Sequence, residues 1–146
     1  MKKVQLTALI AVLCLLVSCK VEPEQINYGS DACHFCKMTI VDQQHAAQYV
    51  TGKGKQFKYD AIECMVNELA EKKSDDIAIL LVADYDSPGQ MTSAISSVYL
   101  ISPAIKSPMG ANLSGFTTED NALAAKGESE GKVYTWVALL KKFDAE

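Results

Sequence analysis

The chain is predicted to be an α+β protein of two small homologous units, each a short antiparallel sheet with one helix in a ββαβ-like order. Three observations predict this. Strand-like runs of four to seven residues are separated by turns rich in Gly, Pro and Asp. Ile62, Met65, Val66 and Leu69 carry the i, i+3, i+4, i+7 apolar spacing of an amphipathic helix. The segment GKQFKYDAIECMVNEL can also be laid against GANLSGFTTEDNALAA, with aromatic, cap and helix in the same order.

In the first unit, residues 31–84, Met38 to Asp42 reads as a strand, Gln43-Gln44 as a turn and Ala46 to Val50 as a second strand. Gly52 and Gly54 punctuate another turn before a third short strand, Gln56 to Tyr59. Asp60 is placed to cap the helix, with Glu63 as its reciprocal partner. Ser74-Asp75-Asp76 ends that helix, and the apolar run Ile77 to Ala83 reads as a buried strand. Asp84 to Ser93, with Ser87-Pro88-Gly89, forms the joint.

The second unit, residues 94–143, begins with a strand at Val98 to Ile101, followed by a loop or short strand over Gly110 to Phe116. Thr117 or Thr118 caps a helix through Ala125, and Gly127 stops it. Val133 to Leu140 reads as a strand that can turn into a terminal helix. The two units together can also form one compact domain.

The N-terminus sets the compartment. Lys2 and Lys3 precede an apolar run from Leu6 to Val17 that is too short to span a bilayer. Leu16-Val17-Ser18-Cys19 then reads as a lipobox, so residues 1–18 are a signal peptide and Cys19 becomes the lipidated first residue. Residues 19–30 are polar, with a proline and a glycine, and read as a lipid-anchored tether. Lys20 stands where an inner-membrane retention signal would place Asp, which slightly favours the outer membrane over the inner one for a periplasm-facing protein.

Removal of residues 1–18 leaves 128 residues with 12 basic against 18 acidic side chains, a net charge of −6. No basic cluster survives, which argues against nucleic acid as a partner. Three cysteines remain in the mature chain beside Cys19, namely Cys33, Cys36 and Cys64. That odd number does not describe a closed disulfide framework.

The densest chemistry lies in Cys33-His34-Phe35-Cys36-Lys37-Met38, which holds two thiols and a thioether. Soft sulfur donors at close spacing suit monovalent copper, a d10 ion that accepts two or three of them. Cys36 and Met38, two apart in an extended chain, project from one face, and Cys33 reaches the same point across a turn. Taken alone, Met38 would read as a core methionine on a strand; beside two thiols it reads as a ligand. Met65 belongs to the apolar stripe and reads as core. Cys64 lies about 200° around the helix from Ile62 and falls off that stripe, which gives it either a role on another surface or none. Met109, in Ser107-Pro108-Met109-Gly110, is presented by a rigid turn. Met91 sits in the polar joint with nothing rigid around it. His34 and His45 are possible donors, although a lone histidine more often serves as a hydrogen-bonded structural residue.

The order CHFCKM, FKYDAIECM, SPMG resembles the NosL family of copper chaperones in nitrous oxide reductase assembly, over about Ala32 to Leu140. The resemblance implies a periplasm-facing lipoprotein that binds one Cu(I) and delivers it for the copper centre of nitrous oxide reductase. It implies as partners the periplasmic component of a dedicated ABC-transporter complex and apo nitrous oxide reductase, directly or indirectly. Carried over by motif, Cys36, Met38 and Met109 are the first-choice ligands, with Cys33, Cys64, Met65 and His34 as secondary candidates. Lys37 departs from the family, in which glycine is common between that Cys and Met.

Three rival readings use the same residues. A thioredoxin-like oxidoreductase needs the first thiolate at a helix N-terminus, whereas this pair leads into a β-branched run. Covalent haem attachment needs histidine where Lys37 stands. A zinc-stabilised, non-catalytic binding module would draw four donors from Cys33, Cys36, Cys64 and a histidine, and would be indifferent to Met38 and Met109. A Cys33–Cys36 disulfide serving stabilisation alone is a further alternative. No nucleophile–base–orienter set, phosphate loop or supported carboxylate pair is present, so the chain is read as non-enzymatic.

Overall fold

Two ββαβ units follow one another in the computed structural model, which describes residues 20–72 and 76–145. In the first unit, β1 (Ala47–Thr51) and β2 (Gln56–Tyr59) form a hairpin, α1 (Ile62–Glu71) crosses over, and β3 (Ile77–Ala83) pairs with β1. A short β4 (Met91–Ser93) extends the sheet to the order β2-β1-β3-β4. The second unit repeats the plan: β5 (Val98–Ile101), β6 (Leu113–Phe116), α2 (Glu119–Lys126) and β7 (Lys132–Thr135), in the order β6-β5-β7. It ends in α3 (Trp136–Asp144). All pairings in both sheets are antiparallel.

The second sheet is buried on both faces, and period-two alternation decides which residue goes where. Along β5, Tyr99 and Ile101 pack toward the first unit, whereas Val98 and Leu100 pack with Phe116, Ala122 and Ile105 under α2. β7 does the same with Tyr134 and Val133. α1 touches β1 and β2 of the first sheet, β6 of the second, and α3. One core therefore serves both units: Tyr59, Ile62, Met65, Val82, Tyr99, Leu113 and Leu139 are fully buried in a single cluster. Gly115 marks the seam, because a Cβ there would stand 3.1 Å from the Ala83 carbonyl oxygen and 3.2 Å from Ile62 Cδ1.

Several local expectations change. Met38 to Asp42 is not a strand: it is the return arm of a small hairpin whose ladder is the single bridge Ala32↔Thr39. The joint contains β4, which pairs with β3 through Ala83↔Met91, Val82↔Thr92 and Leu81↔Ser93. As expected, the run Val133 to Leu140 begins as a strand and turns into the terminal helix; the division falls at Thr135, whose side chain accepts from the Ala138 N–H and caps α3. Trp136, Leu139, Leu140 and Phe143 then form a helical stripe facing the core. Asp60 does not cap α1, whose N-cap is Ala61 without a side-chain hydrogen bond; the Asp60 carboxylate accepts from the Val41 N–H instead. Thr118 does cap α2, and Gly127 ends it with φ +54. The predicted helix stop at Ser74 and Asp75 falls outside the described residues, as do the predicted signal peptide and the predicted lipidation site Cys19.

From Glu22 onward the segment predicted as a tether lies against the sheet edge at β2. Gln56 Nε2–H donates to the Glu22 carbonyl, Gln48 Nε2–H to that of Glu24 and Lys58 Nζ–H to that of Gln25, while Ile26 is buried. Covering an edge strand with hydrogen-bonded chain removes a template for unwanted pairing.

Candidate metal centre

The hairpin that carries the sulfur motif is built by backbone hydrogen bonds. Gly29 N–H donates to the Ile40 carbonyl, Ile40 N–H to that of Asp31, and Cys33 N–H to that of Met38. Lys37 N–H closes the loop onto the Cys33 carbonyl at 3.0 Å, and Lys37 itself takes φ +67. This left-handed conformation is one that glycine adopts without penalty, which gives a physical reason for glycine at the matching place in the family motif. Here lysine bears the strain while its Nζ–H hydrogen-bonds the His34 carbonyl. His34 N–H donates to the Lys58 carbonyl at 2.8 Å and pins the loop to β2. The loop is thereby held beside the first turn of α1, where Cys64 sits.

The result is a group of three thiols. The Sγ atoms of Cys33, Cys36 and Cys64 lie within 4.8 Å of one another, and all three cysteines are free. Cys33 and Cys64 are each 1% exposed, and Cys36 is half-buried. The structure thus corrects the expectation for Cys64. The helical stripe placed it off the core, but α1 is covered on both flanks, and its off-stripe side faces the sulfur hairpin.

The three thiols are electrostatically unequal. A hydrogen bond from the Cys64 thiol, joined by the backbone N–H groups of Asp60 and Cys36, outweighs burial and brings the Cys33 thiol down to about 5. Donating to Cys33, together with burial, pushes Cys64 up, and burial pushes Cys36 up. Burial, followed by the nearby charges of Cys33 and Asp42, also raises Asp60. The surroundings thus favour ionisation of Cys33 over that of Cys36 or Cys64. A titration of thiolate absorbance in the reduced protein is expected to show one thiolate persisting down to about pH 5. Cys64→Ala should return its midpoint toward the usual thiol value of about 8.5. A native protein with no thiolate signal below about pH 8 would mean that Cys33 keeps its proton.

Of the other residues singled out from the sequence, Met38 is 53% exposed beside the hairpin loop and Met109 is 43% exposed at its turn tip. Met65 is fully buried core. His34 engages the buried Glu68 through Nδ1 at 2.8 Å, and Lys72 Nζ holds the other carboxylate oxygen at 2.7 Å. Burial works to raise Glu68, but the hydrogen bonds from His34 and Lys72 prevail and hold it below the usual glutamate range. His45 is buried with both ring nitrogens engaged, by Asp42 Oδ2 and by Ser114 Oγ, and so ties the two units together. Met91 lies in β4. Two pairings had no signal in the sequence because their members are far apart along it: Glu68 with His34, and Glu63 with Ser107.

A thiophilic cation with metal–sulfur bonds of about 2.3 Å needs sulfurs about 4 Å apart in a trigonal site, which the 4.8 Å bound on the present group accommodates. Structural zinc sites use four donors. Among the described residues no histidine or carboxylate oxygen joins the three thiols in that group. Thiol–disulfide catalysis requires a low-pKa thiolate that a substrate can reach. Here the low-pKa Cys33 is buried and the more accessible Cys36 is raised.

The NosL family model matches residues 25–142 of the chain. Among solved structures, the chain is similar to the crystal structure of the copper chaperone NosL from Shewanella denitrificans, with a TM-score of 0.69 and 17% identity. That match covers 80% of this chain and 93% of the other, and at such low identity it speaks for the fold. No curated protein matches.

Proposed function

The chain belongs to the NosL family, and from that premise we propose that it carries one Cu(I) ion as cargo for assembly of the copper centre of nitrous oxide reductase. The observation that carries this reading is the three-thiol group, with Met38 exposed on the same hairpin. Cu(I) prefers soft donors and low coordination numbers. Thiolates supply affinity, whereas thioethers bind weakly, need no deprotonation and cannot close a disulfide. Copper entering the group displaces the thiol proton of Cys36 or Cys64, so binding releases protons.

Release proceeds by ligand exchange. A partner's sulfur or imidazole donors replace Met38 and Met109 first, since these are the exposed ones, and the half-buried Cys36 next. Cys33 and Cys64, enclosed, leave last. In this reading the protein catalyses no reaction. It is held at the periplasmic side of a membrane by lipidated Cys19, and it works with the periplasmic component of a dedicated ABC-transporter complex upstream of the apo reductase. Among the described residues no helix is long and apolar enough to cross a membrane.

The test is an anaerobic competition titration of the reduced mature chain with Cu(I), with Zn(II) in parallel. One tightly bound Cu(I), weakened in Cys36→Ala/Met38→Ala, is the expected result. Tight Zn(II) binding indifferent to Met38 and Met109 would replace the copper reading with a zinc-stabilised module.

A further inference from the structure

Glu63 and Ser107 are 44 residues apart and carry no sulfur, yet they join two segments that do. The Ser107 hydroxyl donates to Glu63 Oε1, and both side chains are buried. Glu63 directly precedes Cys64 in the first turn of α1. Ser107 opens the turn bearing Met109. Gly110 N–H donates to the Ser107 carbonyl at 3.1 Å, Gly110 takes φ +84, and Pro108 fixes the first central position. Only Pro108 separates Met109 from Ser107, so their Cα atoms are at most about 7 Å apart.

A carboxylate is a costly occupant of this place. Glu63 is 2% exposed, its Oε2 is buried with no hydrogen-bond partner, and the positions around it on α1 are filled by Ile62, Cys64, Met65 and Val66. Burying polar oxygen without full pairing is destabilising, and an apolar residue of similar volume often does as well or better. Stability alone therefore does not account for it. The hydrogen bond instead fixes where the Met109 turn sits relative to the Cys64 end of α1.

We infer that Glu63 and Ser107 are positioning residues, a buried latch that sets the Met109 turn in register with the three-thiol group so that its thioether reaches the cargo. This rests on the reading of Cu(I) as cargo and Met109 as one of its donors. Neither side chain touches the ion; both act through Met109. The turn tip is exposed, so without the latch the thioether would sample many positions, and the entropy of holding it would be drawn from binding.

A double-mutant cycle in Cu(I) competition titrations tests this, on native, Ser107→Ala, Met109→Ala and doubly substituted mature protein, with thermal unfolding of each. Ser107→Ala is expected to weaken Cu(I) binding about tenfold, within the range of one lost hydrogen bond. In the Met109→Ala background the same change should have no further effect, because contacting residues couple while independent ones add. Additive losses, or a Ser107→Ala protein that binds as the native one does while Met109→Ala is impaired, would overturn the latch and leave the copper reading standing. If Met109→Ala binds normally, Met109 is no donor and the latch falls with it. Glu63→Gln keeps an acceptor for the Ser107 hydroxyl and should bind within about twofold of native. A tenfold loss there would assign the effect to charge and overturn positioning.

Discussion

Cys33→Ala is expected to weaken Cu(I) binding by roughly a thousandfold, about 4 kcal/mol, while the protein stays folded. Cys33 is the charge centre of the three-thiol group: it accepts from the Cys64 thiol and from the backbone N–H groups of Asp60 and Cys36, and it is the thiol brought down to about 5. Removing it takes away the anionic donor that compensates the cation in a site largely closed to water. It also leaves Cys36 and Cys64, both of which must first lose a proton. Met38→Ala should cost much less, because Met38 is 53% exposed and a thioether carries no charge. The check is the Cu(I) competition titration at fixed pH, with thermal unfolding as the control for folding. A Cys33→Ala protein within about threefold of native affinity would remove Cys33 from the ligand set and return the site to Cys36 with the two exposed methionines.

The largest loss of stability is expected at Tyr99. Its ring is fully buried where β5 meets the first unit, 5.6 Å from the centroid of Trp136, and its hydroxyl donates to the Ala94 carbonyl at 2.6 Å. Tyr99→Ala should cost about 4 kcal/mol through lost burial and the cavity left behind. Tyr99→Phe isolates the hydrogen bond and should cost about 1–2 kcal/mol, since the Ala94 carbonyl loses its phenolic donor. Both are measured by urea unfolding, with the midpoint falling and the slope unchanged. If the two units held separate cores, Tyr99→Ala would unfold the second alone and produce two transitions. The single cluster joining Tyr59, Ile62, Tyr99 and Leu139 predicts one.

The fold was legible where local pattern and tertiary demand agreed. The stripe Ile62, Met65, Val66, Leu69, the short strands at 56–59, 77–83 and 98–101, and the Thr118 cap with Gly127 all appear where they were expected. The repeat proved to be two ββαβ units with matching strand orders, β2-β1-β3 and β6-β5-β7. Val133 to Leu140 divides as expected into a strand and a terminal helix, which the Thr135 cap and the Trp136, Leu139, Leu140, Phe143 spacing start. Expectations changed where a local signal had a competitor. Met38 to Asp42 has strand composition, but its partner arm is too short for more than one bridge. Asp60 and Glu63 have capping-box spacing, yet Val41 and Ser107 claim their carboxylates.

By itself the sequence determined the fold class, the sulfur-rich motif, the turn that presents Met109 and the order of motifs by which the family is known. Only the tertiary structure decided that Cys64 joins Cys33 and Cys36, that Cys33 is the thiol its neighbours favour to ionise, and that Glu63 reaches Ser107. The physical reason is one of range. Period and turn chemistry act over a few residues and are written locally. Meeting of side chains more than 25 residues apart depends on how α1 is pressed between two sheets and a hairpin. A helical wheel drawn for a surface helix has only one buried side, and α1 has more than one.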